Sequence, residues 1–191
     1  MRSNFFVLAC VLLGSANLYA APFGSDPCGR GWVFFDLGNT LVDTSDSSHV
    51  KYMPGAHDYL RQLHAAGFHI GMISNVPDSW GPTVETKLAY MKEYLGKSWS
   101  SPDAFAWEDF ETILLPPSDS QRKPAPFLFL QARELELHCQ IAYLSEDPAE
   151  VRAALSAGFD QGFVVSTTNA DGFYPAPDRI FQSRLPNKIR P

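Results

Sequence analysis

Short apolar runs alternate along the chain with stretches whose apolar residues recur every three or four positions, the two periods that separate strands from amphipathic helices. Trp32 to Asp36 is four apolar residues ending on a carboxylate and predicts strand one. Residues 39–53 are rich in Ser, Thr and Asp and read as a polar loop. Pro54 opens a helix to about Ala66, with Leu60 and Leu63 inward and Gly67 past its end. His69 to Ser74 predicts strand two, and residues 75–82 a turn with two prolines. Val84, Leu88, Met91 and Leu95 stand at helical spacing and predict a helix from Thr83 to about Leu95. Strand three is expected over Phe110 to Leu115, a loop over Pro116 to Lys123, and a helix from about Pro126 to Leu137. Gln140 to Leu144 reads as strand four, Pro148 to Ala157 as a helix closed by Gly158, and Gly162 to Val165 as a fifth strand. Strands separated by single helices imply parallel pairing with right-handed crossovers. The expected class is therefore α/β, a Rossmann-like three-layer sandwich around a central parallel sheet of about five strands.

This pattern occupies residues 31–166 as one domain, preceded by an arm at 21–30. Residues 167–191 are polar and Pro-rich and read as a tail that packs on the surface or stays loose. The first twenty residues follow a different logic. Arg2 is a positive start, Phe5 to Leu13 an apolar core, and Leu18-Tyr19-Ala20 a small-residue cleavage point. That is the layout of a secretory signal peptide, and the apolar core is too short to span a membrane. The expected product is exported, periplasmic or extracellular, with no membrane span once the signal is removed. Cys10 lies inside the apolar run, with too little before it for a lipoprotein signal.

Formal net charge is −6 and turns more negative when Arg2 leaves with the signal. No Lys/Arg block interrupts the chain, so nucleic acid is not an expected partner. Cys28 and Cys139 remain after the signal. In an oxidising compartment they could pair, or Cys139 could pack beside a strand with Cys28 in a loose arm, and spacing alone gives no distance to decide. An oligomer is compatible with the sequence.

Four short segments fall at strand ends or in the loops that follow them. They are Asp36, Ser74-Asn75, Lys123-Pro124, and Ser145-Glu146-Asp147 with Glu150 one turn further on. All belong to the carboxyl edge of one sheet, where open α/β sheets bind ligands. A nucleophilic carboxylate, a hydroxyl, a cation and a group of acids together suit phosphoryl transfer. In their order and content, the stretches Val33 to Leu41, Ile70 to Asn75, Arg122 to Phe129 and Tyr143 to Gly158 resemble the haloacid dehalogenase superfamily of phosphatases.

That resemblance implies Asp36 as a nucleophile forming an aspartyl-phosphate, and the Gly38 carbonyl as a metal ligand. It implies Ser74 and Lys123 as phosphate holders, with Gly38, Asn39, Thr40 and Asn75 lining the phosphate. The acids Glu146, Asp147 and Glu150 would hold Mg²⁺ beside Asp36. The sequence also departs from the family pattern. Gly38 stands where a general-acid Asp is usual, and Glu146 and Glu150 stand where an Asp pair is expected. Asp147-Pro148-Ala149-Glu150 is in addition a good helix start, with an acid as N-cap and Pro at the first helical position. Neither the interval from Asp36 to Ser74 nor that from Ser74 to Lys123 has room for a large cap domain. Trp80, just past strand two, could stack on a substrate or form a hydrophobic lid.

The expected activity is Mg²⁺-dependent hydrolysis of a phosphomonoester, small or large. An impaired binding module with the same fold is the alternative, because Gly38 cannot donate a proton. Cleavage of a carbon–halogen bond is a third reading, which the acids after strand four disfavour.

Overall fold

The computed structural model describes residues 27–169 and 172–181. The expected signal peptide and the last ten residues of the tail lie outside them. The strands and helices run in the order β1 (Trp32–Phe35), β2 (Val42–Asp43), β3 (Lys51–Tyr52), α1 (Ala56–Ala65), β4 (His69–Ile73) and α2 (Val84–Ser98). Then come β5 (Thr112–Leu114), α3 (Phe127–Leu135), β6 (Ile141–Ser145), α4 (Pro148–Ser156) and β7 (Gln161–Val164). Five of the strands form one parallel sheet in the order β5-β4-β1-β6-β7. The chain winds outward from β1 through β4 to β5, then crosses back to β6 on the other side. Strand order therefore reverses beside β1, and the crevice at such a reversal is where α/β sheets hold ligands.

Strand alternation builds the layers. Val33 and Phe35 face one core with Tyr59, Leu60, Leu63, Met91 and Leu95 of α1 and α2. Trp32 and Phe34 face the other with Leu128, Phe129, Ala132, Val151 and Ala154 of α3 and α4. Both faces of β1 are covered, which is why it reads as an unbroken apolar run rather than an alternating one. Gly71 on β4 is required by this packing: a Cβ there would lie 2.3 Å from the Phe34 ring.

The structure corrects the sequence reading in several places. The loop expected over residues 39–53 contains an antiparallel hairpin, β2 against β3, each only two residues long. α1 begins at Ala56 after Gly55, two residues beyond Pro54, and α2 runs on to Ser98. β5 is three residues long, shorter than the apolar run that predicted it. Short 3₁₀ turns occupy Asp78–Trp80 and Asp119–Gln121 within segments expected as plain loops. Cys28 and Cys139 form a disulfide across a separation of 111 residues, tying the arm to the approach of β6. The segment after β7 contributes more than a surface cover. Ile180 is fully buried in the α1/α2-side core, and Tyr174 stacks on Tyr59 at 4.5 Å between ring centroids. Among the described residues no helix is long and apolar enough to cross a membrane.

Candidate active site

β1 ends at Phe35 and delivers Asp36 to the carboxyl edge, buried to 8 % exposure. The loop after β5 brings Lys123 to it, and the Lys123 ammonium lies 2.5 Å from Asp36 Oδ1. The same ammonium donates to the Tyr143 hydroxyl and to Glu150 Oε2, each at 2.8 Å. All three of its protons are thereby committed. Tyr143 in turn donates to Glu150 Oε2 at 2.8 Å, and the Ser145 hydroxyl approaches the same oxygen at 3.0 Å. Tyr143 and Ser145 share a face because residues two apart on a strand do. Glu150 meets that face from the first turn of α4.

The electrostatics of this cluster are unbalanced. Burial raises the Asp36 carboxyl above its ordinary value, and the nearby Glu146 adds to the rise, against the pull of Lys123. The Tyr143 hydroxyl is pushed well above its ordinary value, first by burial and then by Asp36 and Glu150, so it stays a neutral donor. One ammonium faces three carboxyl groups, those of Asp36, Glu146 and Glu150.

The acids after β6 divide their work. Glu146 is anchored by Thr40, whose hydroxyl donates to Oε2 at 2.7 Å and accepts from the Glu146 backbone N–H at 3.1 Å. Asp147 is the N-cap of α4, its carboxylate accepting from the Ala149 N–H at 2.7 Å. The helix start thus engages one oxygen of the Asp147 carboxylate. Glu150 is 7 % exposed and its Oε2 is turned inward to Lys123, Tyr143 and Ser145. Among the described residues no three His, Cys, Asp or Glu side chains converge as a ready metal cage. The donor set that fits Mg²⁺ is smaller: the Asp36 and Glu146 carboxylates and the Gly38 carbonyl, which accepts no hydrogen bond among the described residues. Mg²⁺ is commonly held by one or two carboxylates, keeping waters in its remaining positions.

The other expected phosphate contacts are redistributed. The side chain of Asn75 is used twice on the Lys123 backbone, donating to its carbonyl at 2.9 Å and accepting from its N–H at 2.7 Å. Asn75 thus fixes the Lys123 loop with its carbonyl oxygen and one of its two amide N–H groups. Asn39 sits in the left-handed region at φ 51°, which Asn tolerates, and its Oδ1 accepts from the Thr44 hydroxyl at 3.0 Å. Its backbone N–H is bonded to the Val42 carbonyl. Thr40 is fully buried on Glu146 rather than open to phosphate. The Ser74 hydroxyl and the backbone N–H groups of Gly38 and Asn75 have no hydrogen-bond partner among the described residues. They border a cavity of about 140 Å³ whose walls include Trp80, Met91, Tyr94 and Leu95. Trp80 lines that cavity and also packs on Tyr90 and Tyr94.

Sequence reasoning gives Ser145 no role within its segment and passes over Tyr143 and Lys87. The Lys87 side chain is fully buried, and its ammonium lies 2.6 Å from Asp78, 2.9 Å from the Pro116 carbonyl and 3.2 Å from that of Pro117. It ties the loop after β4 to the loop after β5. A polar residue inside an apolar strand, as Tyr143 and Ser145 are in β6, is the signal that could have marked the first two.

No protein-family model matches the chain, and comparison with curated proteins finds no match. Solved structures do share its architecture. A hydrolase from Streptococcus pneumoniae TIGR4 superimposes with a TM-score of 0.54 at 15 % identity, over 73 % of this chain and 94 % of that one. A HAD family enzyme from Bacteroides thetaiotaomicron gives 0.52 at 12 % identity, over 74 % and 96 %. An uncharacterized protein from Listeria monocytogenes serotype 4b gives 0.51 at 17 % identity, over 81 % and 84 %. The five-stranded parallel sheet with helices on both its faces is that of the haloacid dehalogenase fold, and this chain has that fold.

Proposed function

We propose that this protein is a Mg²⁺-dependent phosphomonoester hydrolase working through an aspartyl-phosphate on Asp36. The observation that carries the reading is the Lys123 ammonium, buried between Asp36 and Glu150 at the carboxyl edge, near the Ser74 hydroxyl and the Gly38 and Asn75 backbone N–H groups. Lys123 holds the Asp36 carboxylate in place and offsets part of its charge. The Ser74 hydroxyl and the Gly38 and Asn75 N–H groups bind the phosphoryl oxygens. An Asp36 oxygen attacks phosphorus, and the ester P–O bond breaks with its electron pair on the leaving oxygen. Gly38 has no proton to give, so that oxygen is protonated by water. That water is left as hydroxide; a second water then adds to phosphorus, giving one proton to the hydroxide and keeping the other on the released phosphate, as the bond from Asp36 to phosphorus breaks and Asp36 returns as a carboxylate. When bound by Asp36, Glu146 and the Gly38 carbonyl, Mg²⁺ offsets the negative charge of the phosphoryl group and of the surplus carboxylates.

The test is turnover of 4-nitrophenyl phosphate by the chain from residue 21, with Mg²⁺ or a chelator, beside Asp36→Asn. Mg²⁺-dependent turnover that the variant loses supports the reading. An intact fold that binds phosphate without turning over any ester would replace it with the binding-module reading, which the missing side chain at Gly38 favours.

Export belongs to the same proposal. The pattern of residues 1–20 supports it, and a disulfide suits an oxidising compartment. Sequencing the N-terminus of the protein made in cells checks this, and an uncleaved Met1 in the soluble intracellular fraction would overturn it.

A further inference from the structure

The substrate class can be narrowed by the ground beside Gly38 and Ser74, an inference that rests on the phosphatase reading above. Two separate observations point the same way. The first concerns the leaving oxygen. Gly38 supplies no acid, and general acid catalysis is worth about 10²–10⁴-fold. Its absence weighs on an alcohol, which holds its proton tightly. It weighs little on a phenol, whose oxygen is stable as an anion at a pKa of about 10. Sterically the position is open: a Cβ at Gly38 would meet only the Thr44 side chain, no closer than 3.8 Å, and its φ is not left-handed.

The second observation concerns the space the leaving group would enter. The cavity that Gly38 and Ser74 border has a volume of about 140 Å³, with Trp80, Met91, Tyr94 and Leu95 in its walls. A protein cavity of about 150 Å³ with an apolar lining accepts benzene. Aromatic walls and a flexible thioether suit the face and edge of a ring. A phosphoryl group held over Gly38 and Ser74 has this cavity next to its ester oxygen.

We infer that the substrates are monocyclic aryl phosphates, with the phosphoryl group on Asp36 and the single ring in the Trp80–Tyr94 cavity. The ring supplies both binding area and a leaving oxygen that needs no general acid, so one class of ester answers both features.

Kinetics with phenyl, cyclohexyl and 2-naphthyl phosphate test this, alongside 4-nitrophenyl phosphate as the activated reference. Phenyl phosphate should exceed cyclohexyl phosphate in kcat/KM by about 10²-fold or more, the scale of the missing acid. It should have a lower KM than the two-ring naphthyl ester. Trp80→Ala should raise KM for phenyl phosphate and erase the one-ring against two-ring discrimination. Gly38→Asp should raise turnover of the cyclohexyl ester more than that of the phenyl ester and so narrow the ratio. Comparable kcat/KM for phenyl and cyclohexyl phosphate in the wild type would overturn the inference and leave the phosphatase reading standing. A KM for phenyl phosphate that ignores Trp80→Ala would do the same. If even 4-nitrophenyl phosphate is untouched, the phosphatase reading itself fails and takes the inference with it.

Discussion

Among the described residues two lysines have fully buried side chains, and their surroundings differ in kind. Lys87 meets one carboxylate, that of Asp78, whose side chain is half exposed, and two backbone carbonyls. Charge and hydrogen-bond capacity are matched there, and the result is a brace between two loops. Lys123 meets Asp36 and Glu150, with Glu146 close enough to act on Asp36. Negative charge exceeds positive around it. Burying an ion pair is costly, and fold stability gives little reason to bury an excess of one sign. The comparison teaches that a buried charge is a poor marker of function, whereas a buried imbalance is a better one: a surplus of carboxylates suits a cation.

The largest effect expected from breaking this contrast is at Lys123. Lys123→Met should lower kcat by about 10²–10³-fold, the scale of losing one charge-stabilising donor, and should also destabilise the fold because Asp36 and Glu150 lose their shared partner. Lys87→Met should instead cost about 1–3 kcal/mol of stability, as expected when buried acceptors lose their donor, and should change kcat far less than Lys123→Met does. Denaturant unfolding and steady-state kinetics on the two variants decide it. Equal kcat losses would show that Lys87 belongs to the reacting cluster and would dissolve the distinction. As a yardstick, Cys139→Ser should cost about 2–5 kcal/mol with kcat preserved at a temperature where the fold holds, since the disulfide closes a long loop remote from Asp36.

The two partner carboxylates sharpen the comparison through pH, with opposite signs. Lys87 and the Asp119 N–H hold the Asp78 carboxyl below its ordinary value. A depressed carboxyl contributes stability above its unfolded pKa and loses it as pH falls through the folded one. Asp78→Asn should therefore lower the Tm at neutral pH, with the gap to wild type closing in strong acid. The Asp36 carboxyl is raised by its burial, so its ionisation opposes folding, and its contribution fades as pH rises through the folded pKa. Asp36→Asn should abolish turnover while melting no lower than wild type at neutral pH, and this margin should shrink toward acid. A Tm that falls in Asp36→Asn at neutral pH would mean that the Lys123 contact outweighs burial after all.

The legible part of this molecule was what local pattern carries. β1, β4, β6 and the helices between them follow from period and punctuation, and Asp36, Ser74, Lys123 and Glu146 follow from their place at strand ends. Two-residue strands such as β2 and β3 have no period to read. The chemical role of a polar side chain depends on which partner reaches it first, and sequence does not rank partners. Asn75 and Thr40 look free to hold phosphate, and in the structure the Lys123 backbone and Glu146 engage them. Glu150 reads as a metal ligand, and in the structure its Oε2 faces Lys123 and Tyr143. Lys87 hides for another reason. It lies four residues before Met91 and eight before Leu95, on their inward line, where a helical count of apolar residues skips a charged one. The pairing of Cys28 with Cys139 needed a distance, which only folding supplies.

Tyr174 donates its hydroxyl to the Thr40 carbonyl at 2.5 Å, and the Thr40 hydroxyl in turn holds Glu146. A residue beyond the last strand is thus two contacts from Glu146. Anyone trimming the chain to its recognisable motifs would stop near residue 166 and keep every residue the motifs name. That shortened protein would have lost the strut on the loop that follows Asp36, so the packed unit is longer than the pattern that announces it.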